Sequence, residues 1–155
     1  MANLNIVLYQ PEIAMNTGNV GRTCSVTGCR LHLIRPLGFV IDDKRLTRAG
    51  MDYWHTLDVL FYENFADFTR KNNSPKIYMV ETKAEQIYTE VNFEKEAFIM
   101  LGNESCGIPD HILQSYSDTT VRVPMRPNSR SLNLASCAAV VIFEALRQHG
   151  FANLS

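Results

Sequence analysis

Short apolar runs separated by helix-sized segments recur along this chain, and that alternation constrains its fold more than any single residue. Leu4 to Tyr9, Arg30 to Ile34, Leu57 to Tyr62, Lys76 to Glu81, Ala97 to Leu101 and Thr120 to Met125 read as strands, rich in Ile, Val, Leu, Tyr or Phe and bounded by turn residues. Between them lie helical segments. One follows Pro11 and is closed by Gly28; a short basic one, DKRLTRAG, is capped by Asp42 or Asp43 and stopped by Gly50. Asn64 to Lys71 places Phe65 and Phe68 inward, and another short helix runs from Pro109 to about Tyr116, while TKAEQIYTEV reads as loop. Strands alternating with helices predict an α/β fold with a mostly parallel sheet flanked by helices. With 155 residues, 46% of them hydrophobic, residues 1–155 suit one domain with a real core.

The last strand and helix carry further information. After Pro124 and Pro127, the polar residues Asn128, Ser129, Arg130, Ser131 and Asn133 crowd one bend before a long helix. Leu134, Cys137, Ala138, Val141, Ile142 and Ala145 form its core stripe, and Gly150 fits the residue just past its end. Ala139, Val140 and Phe143 make the opposite face apolar too, which implies a second burial partner, such as another subunit. At the bend two readings stand side by side: Ser131 as an ordinary helix cap, or a polar cluster with chemistry.

Net charge is −1, but its distribution is uneven. Residues 13–51 hold six bases (Arg22, Arg30, Arg35, Lys44, Arg45, Arg48) against Asp42 and Asp43, residues 122–147 are also basic, and the acids concentrate between them. A basic face for a polyanion can therefore exist on an acidic protein, although a solvated surface of mixed charge fits the same numbers. Cys24, Cys29, Cys106 and Cys137 lack ligand spacing, and the opening MANLNIVLYQPE lacks the features of a signal peptide, so a reducing, cytoplasmic setting is expected. The longest apolar run, Cys137 to Phe143, is too short to cross a bilayer. His32, His55, His111 and His149 are scattered; they are expected at surface or half-buried positions, and no metal is expected.

Two glycine-containing turns follow strands. NTGNVGR lacks the order of a dinucleotide-binding turn, and LGNESCGIP lacks the Lys-Ser/Thr of a phosphate-binding loop. The second still offers a tight turn with backbone groups and one carboxylate, Glu104, where parallel sheets usually bind ligands. On the first helix Asn16, Asn19 and Arg22 share a polar side, and Gly21 and Cys24 occupy places where bulkier residues are expected to fit.

Taken together and in order, NTGNVGR, LGNESCGIP and RVPM…SRSLNLA resemble the three motifs of the SPOUT RNA 2'-O-ribose methyltransferases. The resemblance covers essentially the whole chain and is closest to the minimal branch that methylates the wobble ribose, cytidine or 5-modified uridine, of leucine tRNAs. It implies a trefoil knot made by the final helix, an S-adenosylmethionine pocket within it, a homodimer, and the anticodon stem-loop of tRNA as partner. Carried over by position, the cofactor pocket would use Val80, Thr82, Gly102, Asn103, Glu104, Gly107, Val123, Met125, Ser131 and Leu132. Asn16, Arg22, Glu104, Ser131 and Asn133 would converge on the reaction, and Arg22, Lys44, Arg45, Arg48, Arg126 and Arg130 would grip RNA. The family's usual assignment of the residue matching Arg22 is general base. A guanidinium gives up its proton so reluctantly that holding a phosphate and stabilising the developing alkoxide suits Arg22 better. A ribosomal-RNA 2'-O-methyltransferase and a non-catalytic RNA-binding protein of the same fold are the alternatives.

Overall fold

The computed structural model describes residues 4–48 and 50–155. Within them, seven strands form one sheet: β1 (Asn5–Tyr9), β2 (Arg30–Ile34), β3 (Val59–Tyr62), β4 (Ile77–Val80), β5 (Gln86–Ile87), β6 (Phe98–Leu101) and β7 (Thr120–Arg122). Their order is β3-β2-β1-β6-β4-β7-β5, and every pair in it is parallel. The chain thus builds outward from β1 to β3 on one side and completes the sheet on the other, with β6 inserted between β1 and β4. The helices are α1 (Ala14–Thr27), α2 (Asp43–Arg48), α3 (Phe65–Lys71), α4 (Asp110–Leu113) and α5 (Leu134–Gln148).

Because side chains alternate across a strand, the central strands feed two cores. Ile6 and Leu8 of β1, Ile99 and Leu101 of β6 and Tyr78 of β4 join Val20 and Cys24 of α1 and Ala138, Val141, Ile142 and Ala145 of α5. On the other face Val7, Met79 and Met100 meet Phe68 of α3 and Ile112 of α4. The predicted stripe of α5 holds in its middle: Ala138, Val141, Ile142 and Ala145 are fully buried, whereas Leu134 and Cys137 are half-buried. Gly150, at φ 69°, ends α5 as expected, with the Phe151 N–H donating to the Leu146 carbonyl at 2.8 Å. The opposite face of α5 stays open, Val140 being 39% and Phe143 45% exposed.

Several expectations need correction. The strand from Thr120 stops at Arg122 rather than Met125, ahead of Pro124, which has no N–H for a ladder. The TKAEQIYTEV loop contains β5, whose two residues pair with β7. The helix from Pro109 gives way at Gln114 to a 3₁₀ turn, Gln114–Thr119, broken at Tyr116. A further 3₁₀ turn, Asp52–Thr56, was not expected. At Gly21 a Cβ would lie 3.1 Å from Leu57 Cδ2 and 3.2 Å from Trp54 Cζ3, so a bulkier residue fits only if those side chains shift, and Cys24 is wholly buried.

His32 is not a surface or half-buried residue but 1% exposed. Its Nδ1 lies 2.8 Å from the Tyr62 hydroxyl and its Nε2 3.0 Å from Asn5 Oδ1. Since Asn5 Oδ1 can only accept, Nε2 carries the proton and Tyr62 donates to Nδ1. Asn72 Nδ2 then donates to the Tyr62 oxygen at 3.2 Å, so the buried ring is satisfied while neutral. Burial is the main cause that lowers its pKa to about 4. His149 is half-buried against the Phe93 carbonyl, and His55 and His111 are exposed.

Candidate functional site

The carboxyl ends of β1, β6, β4 and β7 are neighbours, and the segments leaving them surround a cleft of about 590 Å³. That is where a parallel sheet leaves a crevice, at the point where its strand order turns back. The turn after β6 forms one wall. Asn103 and Gly107 pair across it, and Asn103 Oδ1 accepts the N–H groups of Ser105 at 3.0 Å and Cys106 at 3.1 Å. Asn103 Nδ2 reaches back to the Gln10 carbonyl at 2.7 Å, tying this turn to the end of β1. Gly102 is required by the turn itself, since a Cβ there would overlap the backbone of Gly107 and Ile108.

Three distant segments meet through one chain of hydrogen bonds. Glu104 Oε2 accepts the Glu12 N–H at 2.7 Å, and its Oε1 accepts the Ile13 N–H at 3.1 Å and Asn16 Nδ2 at 3.4 Å. Asn16, only 7% exposed, in turn accepts from Asn133 Nδ2 at 2.9 Å. Asn133 Oδ1 accepts the N–H groups of Ala135 and Ser136, so Asn133, not Ser131, caps α5. Glu104 sits at the start of α1, where unpaired N–H groups and the helix dipole favour a carboxylate. These hydrogen bonds give Asn16, Glu104 and Asn133 work in positioning the elements that frame the cleft.

All ten residues expected to hold a cofactor line the cleft: Val80, Thr82, Gly102, Asn103, Glu104, Gly107, Val123, Met125, Ser131 and Leu132. Asn16 and Asn133 line it as well. Arg22 does not. It lies further along α1, and its guanidinium turns away to the segment after α2, donating to the Gly50 carbonyl at 3.0 Å. The expected convergence of all five catalytic candidates is therefore incomplete within this chain. Lys44, Arg45 and Arg48 are exposed on α2, and Arg126 and Arg130 are exposed on the loop between β7 and α5; none lines the cleft. Arg45 pairs with Asp42 at 3.2 Å, and the Asp42 carboxylate also caps α2.

Among the lining residues that escaped the reading of the sequence, Glu81 and Cys137 stand out for their chemistry. Glu81 directly follows β4, and its carboxylate accepts the N–H of Ile108 at 3.1 Å and of Thr82 at 3.0 Å, joining two walls. A carboxylate directly after a strand and beside Thr82 was the available signal. Cys137 faces the cleft from α5; burial, with Glu81 adding to it, pushes its thiol up to about 11, so it stays protonated near neutrality. Among the described residues no group of three or more His, Cys, Asp or Glu is placed to hold a metal. Nor is any helix among them long and apolar enough to cross a membrane.

Residues 3–143 match the SpoU rRNA Methylase family. The chain belongs to that family. It is 46% identical to the tRNA (cytidine(34)-2'-O)-methyltransferase of Saccharophagus degradans, across 96% of this chain and 97% of that one. A solved structure described under 2-OH methylation of C/U34 on tRNA is 39% identical, covers 95% of this chain and 96% of its own, and superposes with a TM-score of 0.88. The SpoU methyltransferase AviRb of Streptomyces viridochromogenes, solved in complex with the cofactor AdoMet, is 22% identical. It covers 95% of this chain and 60% of its own at a TM-score of 0.79, a likeness of fold. The expected kinship with RNA 2'-O-ribose methyltransferases is thereby borne out, as is an α/β fold with helices flanking a parallel sheet.

Proposed function

We propose that this SpoU family member is an S-adenosylmethionine-dependent tRNA methyltransferase, acting on the ribose 2'-OH of wobble nucleotide 34, cytidine or 5-modified uridine, in leucine tRNAs. The observation that carries this reading is the hydrogen-bonded chain Glu104–Asn16–Asn133, which joins the three resembling motifs at one cleft. The near-full-length likeness to a cytidine-34 enzyme supports the tRNA substrate.

The cleft suits the cofactor. About 590 Å³ lies within the range of small-molecule sites. Val80, Leu101, Val123, Met125 and Leu132 offer an apolar wall for an adenine, and Thr82, Asn103 and Ser131 offer polar groups for a ribose and an amino-acid end. Glu81, Glu104 and Asp110 outnumber Lys83 around it, which favours a cation. When bound, the cofactor supplies a methyl group activated by its sulfonium. The protein's task is then alignment of a ribose hydroxyl for in-line attack, which demands position more than acid–base power. Ser131 and Asn133 would orient groups at the mouth of the cleft. Arg22, which lies outside this chain's own cleft, would hold an RNA phosphate and, where the homodimer brings it to a cleft, stabilise the alkoxide as the hydroxyl proton passes to solvent or a phosphate. Lys44, Arg45, Arg48, Arg126 and Arg130 would neutralise phosphates of the anticodon stem-loop.

In the same reading, residues 1–155 act as one SPOUT domain, α5 completes a trefoil knot, and the protein works in the cytoplasm as a homodimer. The open apolar side of α5 around Val140 and Phe143 supports the dimer. The deciding experiment pairs calorimetry with S-adenosylmethionine and nucleoside mass spectrometry of tRNA from a strain lacking the gene. Binding and 2'-O-methylation at nucleotide 34 are expected. Failure to bind would return the chain to a non-catalytic RNA-binding role, and methylation of ribosomal RNA alone would move the substrate.

A further inference from the structure

Arg22 is held from several sides by residues 50–53. Its Nη2 donates to the Gly50 carbonyl at 3.0 Å, and Asp52 Oδ1 lies 4.0 Å away. The guanidinium carbon stands 4.7 Å from the centre of the Tyr53 ring. The Tyr53 hydroxyl donates to the Gly18 carbonyl, one helical turn before Arg22 on the same helix. Tyr53 is thus fastened to the backbone of α1 at one end and lies against the Arg22 side chain with its ring. The Arg22 side chain nevertheless keeps 58% of its surface exposed, so a ligand can still reach it.

This seat is built by close packing rather than by chance contact. Met51 lies against Gly18, where a Cβ would overlap its side chain, and Trp54 and Leu57 lie against Gly21. The glycine side of α1 therefore lets residues 51–57 approach closely enough for Tyr53 to reach Arg22. Of the contacts on Arg22, the Asp52 pair is long and its carboxylate side chain 90% exposed, so solvent screens it. Gly50 engages a single N–H. The Tyr53 ring lies against the guanidinium itself, and a cation over an aromatic face keeps its N–H edges available for anions.

We propose that Tyr53 is a positioning residue that presets the Arg22 guanidinium for the methyl-transfer step, without itself touching RNA or cofactor. The inference rests on the methyltransferase reading given above. It also links recognition to chemistry, because Gly50, whose carbonyl engages Arg22, donates its N–H to the Thr47 carbonyl at 3.2 Å and so closes the turn after α2, which carries Lys44, Arg45 and Arg48. A phosphate drawn to α2 meets an arginine whose orientation the adjoining segment has already set.

The test compares Tyr53→Leu, which removes the ring, with Tyr53→Phe, which keeps it. Thermal unfolding screens both for folding. Tyr53→Leu is expected to lower kcat about tenfold, with KM for tRNA and calorimetric affinity for S-adenosylmethionine within about twofold of wild type. Tyr53→Phe is expected to restore most of kcat. In an Arg22→Ala background the Leu substitution should cost nothing further. Loss of tRNA affinity at unchanged kcat, unchanged kinetics, or full additivity with Arg22→Ala would each overturn the proposal. Nuclear magnetic resonance of the Arg22 Nε–H supplies a readout that needs no turnover. In wild type the signal should be shifted by the ring and restricted in motion, and in Tyr53→Leu it should move and sharpen. An identical Arg22 signal in both proteins refutes the seat even if the wild type methylates no tRNA, whereas absent methylation with an altered signal refutes only the substrate reading.

Discussion

Replacing Asn133 separates two jobs that one side chain performs. In Asn133→Ala, α5 loses the acceptor that now takes the Ala135 N–H at 2.9 Å and the Ser136 N–H at 3.3 Å. Loss of such a cap costs about 1 kcal/mol. The same change removes the 2.9 Å donor to Asn16 Oδ1. Leaving a buried acceptor unpaired costs about 1–3 kcal/mol, and because Asn133 is itself exposed the lower end applies. The expected total is about 2 kcal/mol. Asn133→Asp keeps the cap, with a charge suited to a helix N-terminus, but sets a carboxylate against the Asn16 oxygen and should cost only the second part, about 1 kcal/mol. Urea unfolding at pH 7, with a common slope for the three proteins, measures both differences. An alanine variant within about 0.5 kcal/mol of wild type would show that neither bond matters, and an aspartate variant as weak as alanine would remove the capping account.

Three other outcomes are expected. His32 has its pKa lowered from 6.5 to about 4, so the unfolded chain binds the extra proton and stability present above pH 6.5 is lost as pH falls through 4. The loss is about 3 kcal/mol by linkage, and denaturation between pH 7 and 4 should lose that component in His32→Gln; an identical pH dependence in both proteins would refute it. Phe143→Asp should convert a dimer to monomer by sedimentation, and a monomeric wild type would end the idea of a dimer through the open face of α5. Neutralising Lys44 and Arg45 together should flatten the salt dependence of tRNA binding by about 0.7–0.9 log units per lost contact while S-adenosylmethionine affinity survives; an unchanged slope would take α2 out of the RNA face.

Where local pattern sufficed, the sequence was a good guide. Arg30–Ile34 is a strand to the residue, and Gly28 and Gly150 end their helices; the cofactor candidates, which all lie on one cleft, came instead from the family resemblance. What the sequence missed depends on partners remote along the chain. His32 is buried because Asn5 and Tyr62, 27 and 30 residues away, satisfy both ring nitrogens. β5 is too short for any periodicity and exists only because β7 lies beside it. Arg22 lies outside the cleft, with its guanidinium against Gly50 and Tyr53 from a segment 28 residues or more downstream. Asn133 rather than Ser131 caps α5, a choice between neighbouring polar residues that residue type alone does not decide.

The insertion of β6 between β1 and β4 bears on how the protein is made. During synthesis, β1, β2 and β3 can pair as soon as Tyr62 has emerged, but the far edge of β1 waits for Phe98 to Leu101. Asn16 waits longer still, for a partner 117 residues downstream. Closing such long loops is slow and must precede the contacts that reward it. A ribosome-bound chain therefore carries an apolar, unpaired strand edge through much of its elongation, and that edge is the surface on which nascent chains would pair wrongly with one another. Competence for ligand arrives last, when α5 is complete and Asn133 reaches Asn16.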